Sequence, residues 1–182
     1  MSGRKTLTKE DWLRAAMELL RIRGIGGVRV LPLAKELGVS RGSFYWHFED
    51  HDDLLRCMLD WWDRESTESV IQYAKDAGGS VPRRLMTVAE DVVRYHRNRY
   101  ETAVRTWAAG DKRAAKALER VFRKRLDYIT SLFREAGFSP AKARARGDLL
   151  AVYIMNEDAV LAHETVEARL RLLRRQIRLL TS

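Results

Sequence analysis

The sequence predicts an all-α fold of about nine helices. Apolar residues recur at helical spacing along most of the 182 residues, and no run alternates apolar with polar residues as a strand would. Three prolines occur in the whole chain, and the glycines fall mainly between the periodic segments, where they end helices. We therefore expect helices joined by short turns and no sheet.

The first helix is predicted to begin at Thr8. Thr8 and Asp11 have the spacing of a capping box, in which the hydroxyl accepts a backbone N–H and the acid lies near the positive helix end. Gly24 ends this helix. The stripe predicted to be buried comprises Leu13, Ala16, Met17 and Leu20.

Glycine and proline positions divide the remaining chain. Two short helices, 30–37 and 41–47, lie on either side of Gly38, and a long helix follows from 50–53 to 76. The later helices are predicted at 82–97, 99–109, 111–136, 140–163 and 165–180.

The composition favours a polyanionic partner, because the net charge is +9. Charge alone does not locate the contact, since residues 1–50 hold nine Lys and Arg against six acids. The longest apolar run, 149–155, is too short to span a bilayer, so we expect no membrane contact. The single cysteine, Cys57, suits a reducing cytoplasm, which is the predicted location.

The pair of short helices has the frame of a helix-turn-helix. Ala34 is small enough for the second helix to cross closely over the first, and Gly38 accommodates a left-handed turn. Phe44 and Phe48, at i and i+4, are predicted to face the core. The opposite side of that helix is then exposed.

That exposed side carries groups suited to DNA. Arg41 can donate bidentately to guanine, and Gly42 lets the backbone come close to a partner. The other groups offer hydroxyls, or flat apolar surface with hydrogen-bond donors. An aromatic core stripe is the alternative, but three consecutive side chains cannot all face inward. The predicted contacts from this helix are Ser40, Arg41, Gly42, Ser43, Tyr45, Trp46 and His47.

The run from Leu33 to Phe48, followed by Leu54 and Leu55, resembles the DNA-binding domain of the TetR family of repressors. The resemblance covers about residues 8–60. It implies that the helix beginning after Ser40 enters the major groove. The residues nearest the bases would be Arg41, Ser43 and Trp46, and those nearer the phosphates Ser40, Tyr45 and His47.

Two positions depart from the family pattern. Arg29 stands where Ser or Thr commonly caps a helix, although arginine can itself reach a phosphate. His51 stands where lysine is common, and a neutral histidine would weaken that phosphate contact and could make DNA affinity depend on pH.

The last helix carries a narrow apolar seam with spacings of four and three residues, typical of helix bundles. The resemblance implies a dimer interface built from the last two helices of each subunit, which would hold two reading helices about 34–36 Å apart. The alternative is that the last helix packs within its own domain. The predicted interface residues are Val166, Leu170, Leu173, Ile177 and Leu180.

The resemblance also implies a pocket for an unidentified small-molecule effector among the C-terminal helices. We thus divide the chain into a DNA-binding domain, 1–50, and an effector-binding and dimerisation domain, 51–182. Each candidate for the pocket can equally belong to the core or the surface. The candidates are Trp62, Tyr95, His96, Trp107, Tyr153, Met155 and Asn156.

Enzymatic function is not favoured. His47 and His51 are four residues apart but lack the glutamate of the zinc-protease motif, and no phosphate-binding loop or nucleophile elbow occurs. We therefore predict no catalytic residue, metal or cofactor. The predicted function is a repressor that binds a palindromic operator as a dimer and is released by a small molecule. A helical interaction module without DNA binding, or a basic all-helical enzyme, is the alternative.

Overall fold

A computed structural model describes residues 7–182 of the chain, and within that range it contains helices and no strand. The all-helical prediction is confirmed, with helix ends shifted by a few residues. The α-helices are α1 (Lys9–Arg23), α2 (Val30–Glu36), α3 (His51–Asp63), α4 (Ser69–Ala77), α5 (Val81–Arg94), α6 (Glu101–Ala108), α7 (Lys112–Glu135), α8 (Pro140–Val160) and α9 (Val166–Thr181).

The start of α1 confirms the predicted cap. The Asp11 backbone N–H donates to the Thr8 hydroxyl at 3.2 Å, and the Thr8 N–H donates to the Asp11 carboxylate at 2.8 Å. At the other end, Gly24 adopts a φ of +65° while its N–H donates to the Leu20 carbonyl at 2.9 Å. The predicted stripe of α1 is buried.

By packing, the described chain divides into two compact units. The N-terminal unit holds the residues up to Trp62 together with 100–118, and the C-terminal unit holds 63–99 and 119–182. The first unit extends past residue 50 because α6 packs against α1, where the Tyr100 hydroxyl donates to Glu18 at 2.7 Å. The functional boundary at residue 50 stays a prediction, and residues 1–6 of that domain lie outside the described residues.

The long helix predicted to end near residue 76 contains a π-helical segment. Residues Arg64–Glu68 form this segment between α3 and α4, and we call it the π-turn. A π-helix adds one residue to the helical turn and is often found at functional sites. Here Ser66 and Thr67 are both buried.

The core of the C-terminal unit lies among α4, α5, α7, α8 and α9. Leu85 of α5 and Phe133 of α7 are fully buried there. α8 approaches α7 closely at Gly147, where a Cβ atom would lie 3.1 Å from the Thr130 Cα. A buried ion pair between Glu157 and Arg169 joins α8 to α9, and its hydrogen bonds raise the pKa of the arginine.

The apolar seam of α9 lies within this core. Leu170, Leu173 and Ile177 are buried, and Val166 and Leu180 are partly buried against the same cluster. α9 packs against α5 of its own chain. Leu170, Leu173 and Ile177 are therefore covered by their own chain, whereas Val166 and Leu180 keep part of their surface exposed, and an interface at this seam stays a prediction. A heptad-like pattern marks a face that is buried, but not the element that covers it.

Candidate DNA-binding surface

The turn between the two short helices depends on Gly38. Its φ is +66°, in the left-handed region that a side chain resists. The Gly38 N–H donates to the Lys35 carbonyl and the Val39 N–H to the Ala34 carbonyl, at 3.1 and 3.0 Å. These bonds close the end of α2 and direct the chain into an extended Ser40.

The segment after Ser40 is a 3₁₀-helix over Arg41–Trp46, which we call the reading helix. It is tighter than an α-helix and shorter by one residue than the predicted helix 41–47. Its position directly after the turn agrees with the predicted helix-turn-helix.

Two phenylalanines anchor the reading helix. Phe44 is 0% exposed and stacks on Phe48 with 5.1 Å between ring centroids. The Trp12 ring of α1 meets Phe44 edge-on at 5.7 Å, and the Lys9 ammonium lies 5.0 Å from the centroid of the Phe48 ring. The helix is thus fixed to α1 from behind, as its sequence predicts.

The opposite side of the reading helix is exposed. Trp46 is 87% exposed and Tyr45 52% exposed, and Arg41 is also exposed. The Arg41 guanidinium donates to the Tyr45 hydroxyl at 3.2 Å, which holds the arginine along this face. Large exposed aromatic rings beside a guanidinium form a surface that gains stability when a partner covers it.

The remaining polar groups of this face are small. The Ser40 and Ser43 hydroxyl oxygens are 3.2 Å apart, with Ser40 exposed and Ser43 half-buried. At Gly42, an added Cβ would lie 3.7 Å from the Ser40 hydroxyl, which is an ordinary contact. The fold of this segment therefore does not require glycine at 42, and the close approach of a partner to the backbone there stays a prediction.

The two histidines and Arg29 have different surroundings. His47 is half-buried, with its ring centroid 6.2 Å from that of Trp12. The His51 Nε2 is 2.7 Å from the Val28 carbonyl oxygen, so this ring joins α3 to the segment before α2. Sequence reasoning missed this role, in which the Nε2–H donates to a backbone carbonyl. Arg29 is exposed.

The seven candidates for an effector pocket belong to both compact units and have different surroundings. Trp62 and Trp107 are buried in the N-terminal unit, while Tyr95 and His96 are exposed beyond α5. Large aromatic side chains are common core residues, so their size alone does not indicate a pocket.

Three candidates lie on α8 of the C-terminal unit. Tyr153 is partly buried and packs against the core. The Asn156 amide donates to the Val152 carbonyl at 2.7 Å. Met155 lines a cavity of this unit, together with Asn98, Tyr128 and the π-turn. Sequence reasoning named Met155 as a pocket candidate but missed Asn98 and Tyr128, because residues far apart in the chain reach one cavity only through tertiary packing.

Residues 13–58 match the family profile described as bacterial regulatory proteins, tetR family. The N-terminal domain belongs to the TetR family. The match includes the turn, the reading helix and the anchoring phenylalanines, as the resemblance of the sequence predicts. Across residues 7–182, no helix combines the length and the apolar character needed to cross a membrane.

Curated relatives of this TetR-family domain are named as regulators of transcription, which is a class distinct from enzymes. The HTH-type transcriptional regulator AcrR of Shigella flexneri is 38% identical over 48 residues, 26% of this chain and 22% of that protein. The tetracycline repressor protein class C of Escherichia coli is 37% identical over 54 residues, 30% of this chain and 25% of that protein. The alignments thus span about a quarter of these relatives.

Solved structures resemble the whole chain. A TetR-family transcriptional regulator from Streptomyces coelicolor has a TM-score of 0.76 and 20% identity, covering 93% of this chain and 86% of that one. A transcriptional regulator from Saccharomonospora viridis, solved in complex with choline, also has a TM-score of 0.76, with 17% identity and coverage of 93% and 95%. At such identities the likeness establishes the fold, over 93% of this chain in both cases.

Proposed function

We propose that this chain is a sequence-specific transcriptional regulator that represses by binding a palindromic operator as a dimer in the cytoplasm. The observation that carries the proposal is the exposed face of the reading helix, with Arg41, Tyr45 and Trp46 held above the buried Phe44. A rigid helix of this kind can place its side chains in a major groove.

The groups on this face divide by chemistry. Arg41, Ser43 and Trp46 are proposed to reach base edges, since a guanidinium can donate two parallel hydrogen bonds to guanine. Tyr45 and His47 are proposed to contact the phosphates, as is the backbone at Gly42. Phosphate contacts are also proposed for Ser40, Arg29 and His51.

A dimer supplies two reading helices. α8 and α9 remain its proposed interface, but with a face other than the apolar seam predicted from the sequence. Leu149, Val152 and Val160 lie along one side of α8 and are exposed, and Leu179 of α9 is 73% exposed. Apolar side chains grouped in this way favour a contact with a second copy. The proposed interface therefore consists of outward residues next to those that fill the core.

A small molecule is proposed to release the operator. Such a ligand would bind better to a dimer whose reading helices no longer match successive major grooves, and so would shift the population toward that state. Two findings support this step: the named repressors among the relatives, and a cavity in the C-terminal unit.

The proposal predicts a specific effect of Arg41 on base preference. Arg41→Ala is expected to weaken binding to the preferred operator by about 1–3 kcal/mol and to reduce discrimination against a substituted guanine. Arg41→Lys keeps the charge but loses the planar fork, so it is expected to lose discrimination as well. Fluorescence anisotropy on matched and substituted duplexes measures both. Equal losses on all duplexes, with full recovery in the lysine variant, would indicate a phosphate contact instead.

A further inference from the structure

The C-terminal unit contains a cavity with an apolar body. Its apolar lining includes Val88 and Val92 of α5, Ile129 of α7 and Ile154 of α8. Its open volume is about 40 Å³, room for a few water molecules. An occupant must therefore be slender, and the cavity must widen to admit it.

Two polar groups at this cavity lack a partner among residues 7–182. Asn98 is 5% exposed, and its amide nitrogen makes no hydrogen bond there. The Tyr128 hydroxyl is buried and also makes none. Burial raises the pKa of Tyr128, so the group remains a neutral O–H donor at physiological pH. Buried donors without acceptors are rare in native proteins, and a ligand that supplies acceptors accounts for both.

The charges at the cavity favour the same kind of ligand. Arg97 and Arg125 line it, and no acidic side chain does. Arg97 is held by Asp91 at 2.8 Å, while Arg125 donates to the Thr67 and Ser66 hydroxyls at 2.8 and 3.0 Å. Asp91 offsets the charge of Arg97, so the Arg125 guanidinium and the neutral donors of Asn98 and Tyr128 are the groups that favour an anionic acceptor over a cation.

We propose that this cavity binds a slender apolar molecule with a carboxylate head, whose oxygens accept hydrogen bonds from the Asn98 amide and the Tyr128 hydroxyl. The inference deepens the proposed function, because it names the class of molecule that would release the operator. The binding step itself involves residues of the C-terminal unit alone.

Calorimetric titration of the full chain tests the proposal with three probes of equal chain length. These are octanoate, octanamide and octyltrimethylammonium. Octanoate is expected to bind, octanamide to bind about tenfold more weakly since it lacks the charge, and the cation not to bind. Binding of the cation as tightly as octanoate, or binding of none of the three, would overturn the proposal.

Two variants test the residues that would hold the head group. Tyr128→Phe and Asn98→Leu are each expected to weaken octanoate binding about tenfold, because each removes one donor to a charged acceptor. Tyr153→Phe is the matched control, since Tyr153 lies on the same core but does not line the cavity, and it is expected to bind as the parent does. Thermal melting verifies that each variant folds. Parent-like affinity in both folded variants would overturn the assignment of the head group.

Operator titrations with and without octanoate separate the two proposals. If octanoate binds but operator affinity does not change, the cavity's chemistry stands and the release mechanism fails. If octanoate binds a chain that shows no sequence-specific DNA binding, the proposed function fails while the cavity's ligand class stands.

Discussion

Replacing Leu173 with glutamate is expected to unfold the C-terminal unit. Leu173 is 0% exposed, and α9 packs there against α5 of the same chain. An unpaired carboxylate in an apolar core is strongly unfavourable, so we expect a loss of at least about 4 kcal/mol in the free energy of unfolding. Circular dichroism during urea denaturation measures this loss.

Leu179→Glu is the matched control, because it makes the same change on the same helix at a residue that is 73% exposed. This variant is expected to keep its fold and, under the proposed dimer, to become a monomer by light scattering. A folded monomer from Leu173→Glu, together with an intact dimer from Leu179→Glu, would restore the interface predicted from the seam and contradict the packing of α9.

Phe44→Ala is expected to lower the free energy of unfolding of the N-terminal unit by about 3–5 kcal/mol. The reason is that Phe44 fills the space between Trp12 and Phe48, with ring centroids 5.7 and 5.1 Å away. The reading helix loses its support, so operator binding should also disappear. Thermal unfolding and anisotropy with operator DNA give the two readouts.

Tyr45→Ala distinguishes, on the same helix, a residue that contacts DNA from one that supports the fold. Tyr45 is 52% exposed and meets Phe44 edge-on at 5.3 Å, so its removal should cost about 0.5–1.5 kcal/mol of stability, less than the loss of Phe44, while operator affinity falls. Equal destabilisation by the two variants would mean that Tyr45 also supports the fold. A stable Phe44→Ala protein would contradict the assignment of Phe44 as the anchor.

Local signals in the sequence predict much of the N-terminal unit. The cap at Thr8, the left-handed turn at Gly38 and the inward position of Phe44 each depend on neighbours within a few residues. Such short-range rules act on the backbone directly, so a pattern of residue types is enough to locate them.

The C-terminal unit is harder to predict because its features depend on tertiary packing. The spacing of Leu170 and Leu173 is equally suited to a partner helix and to α5, which in fact covers them. Asn98 lies in the turn after α5 and Tyr128 lies on α7, so they line one cavity only through tertiary packing. His51 bonds to the Val28 carbonyl across 23 residues, a contact that periodicity does not reveal.

Selection of bound duplexes from a random DNA pool by the full chain tests the central claim most directly. The account predicts enrichment of an inverted repeat, with half-sites about 10 base pairs apart from centre to centre, or a multiple of that spacing. In the same selection with an Arg41 variant, the guanine of each half-site should no longer be enriched. Recovery of no enriched sequence by the folded parent chain would contradict sequence-specific DNA binding.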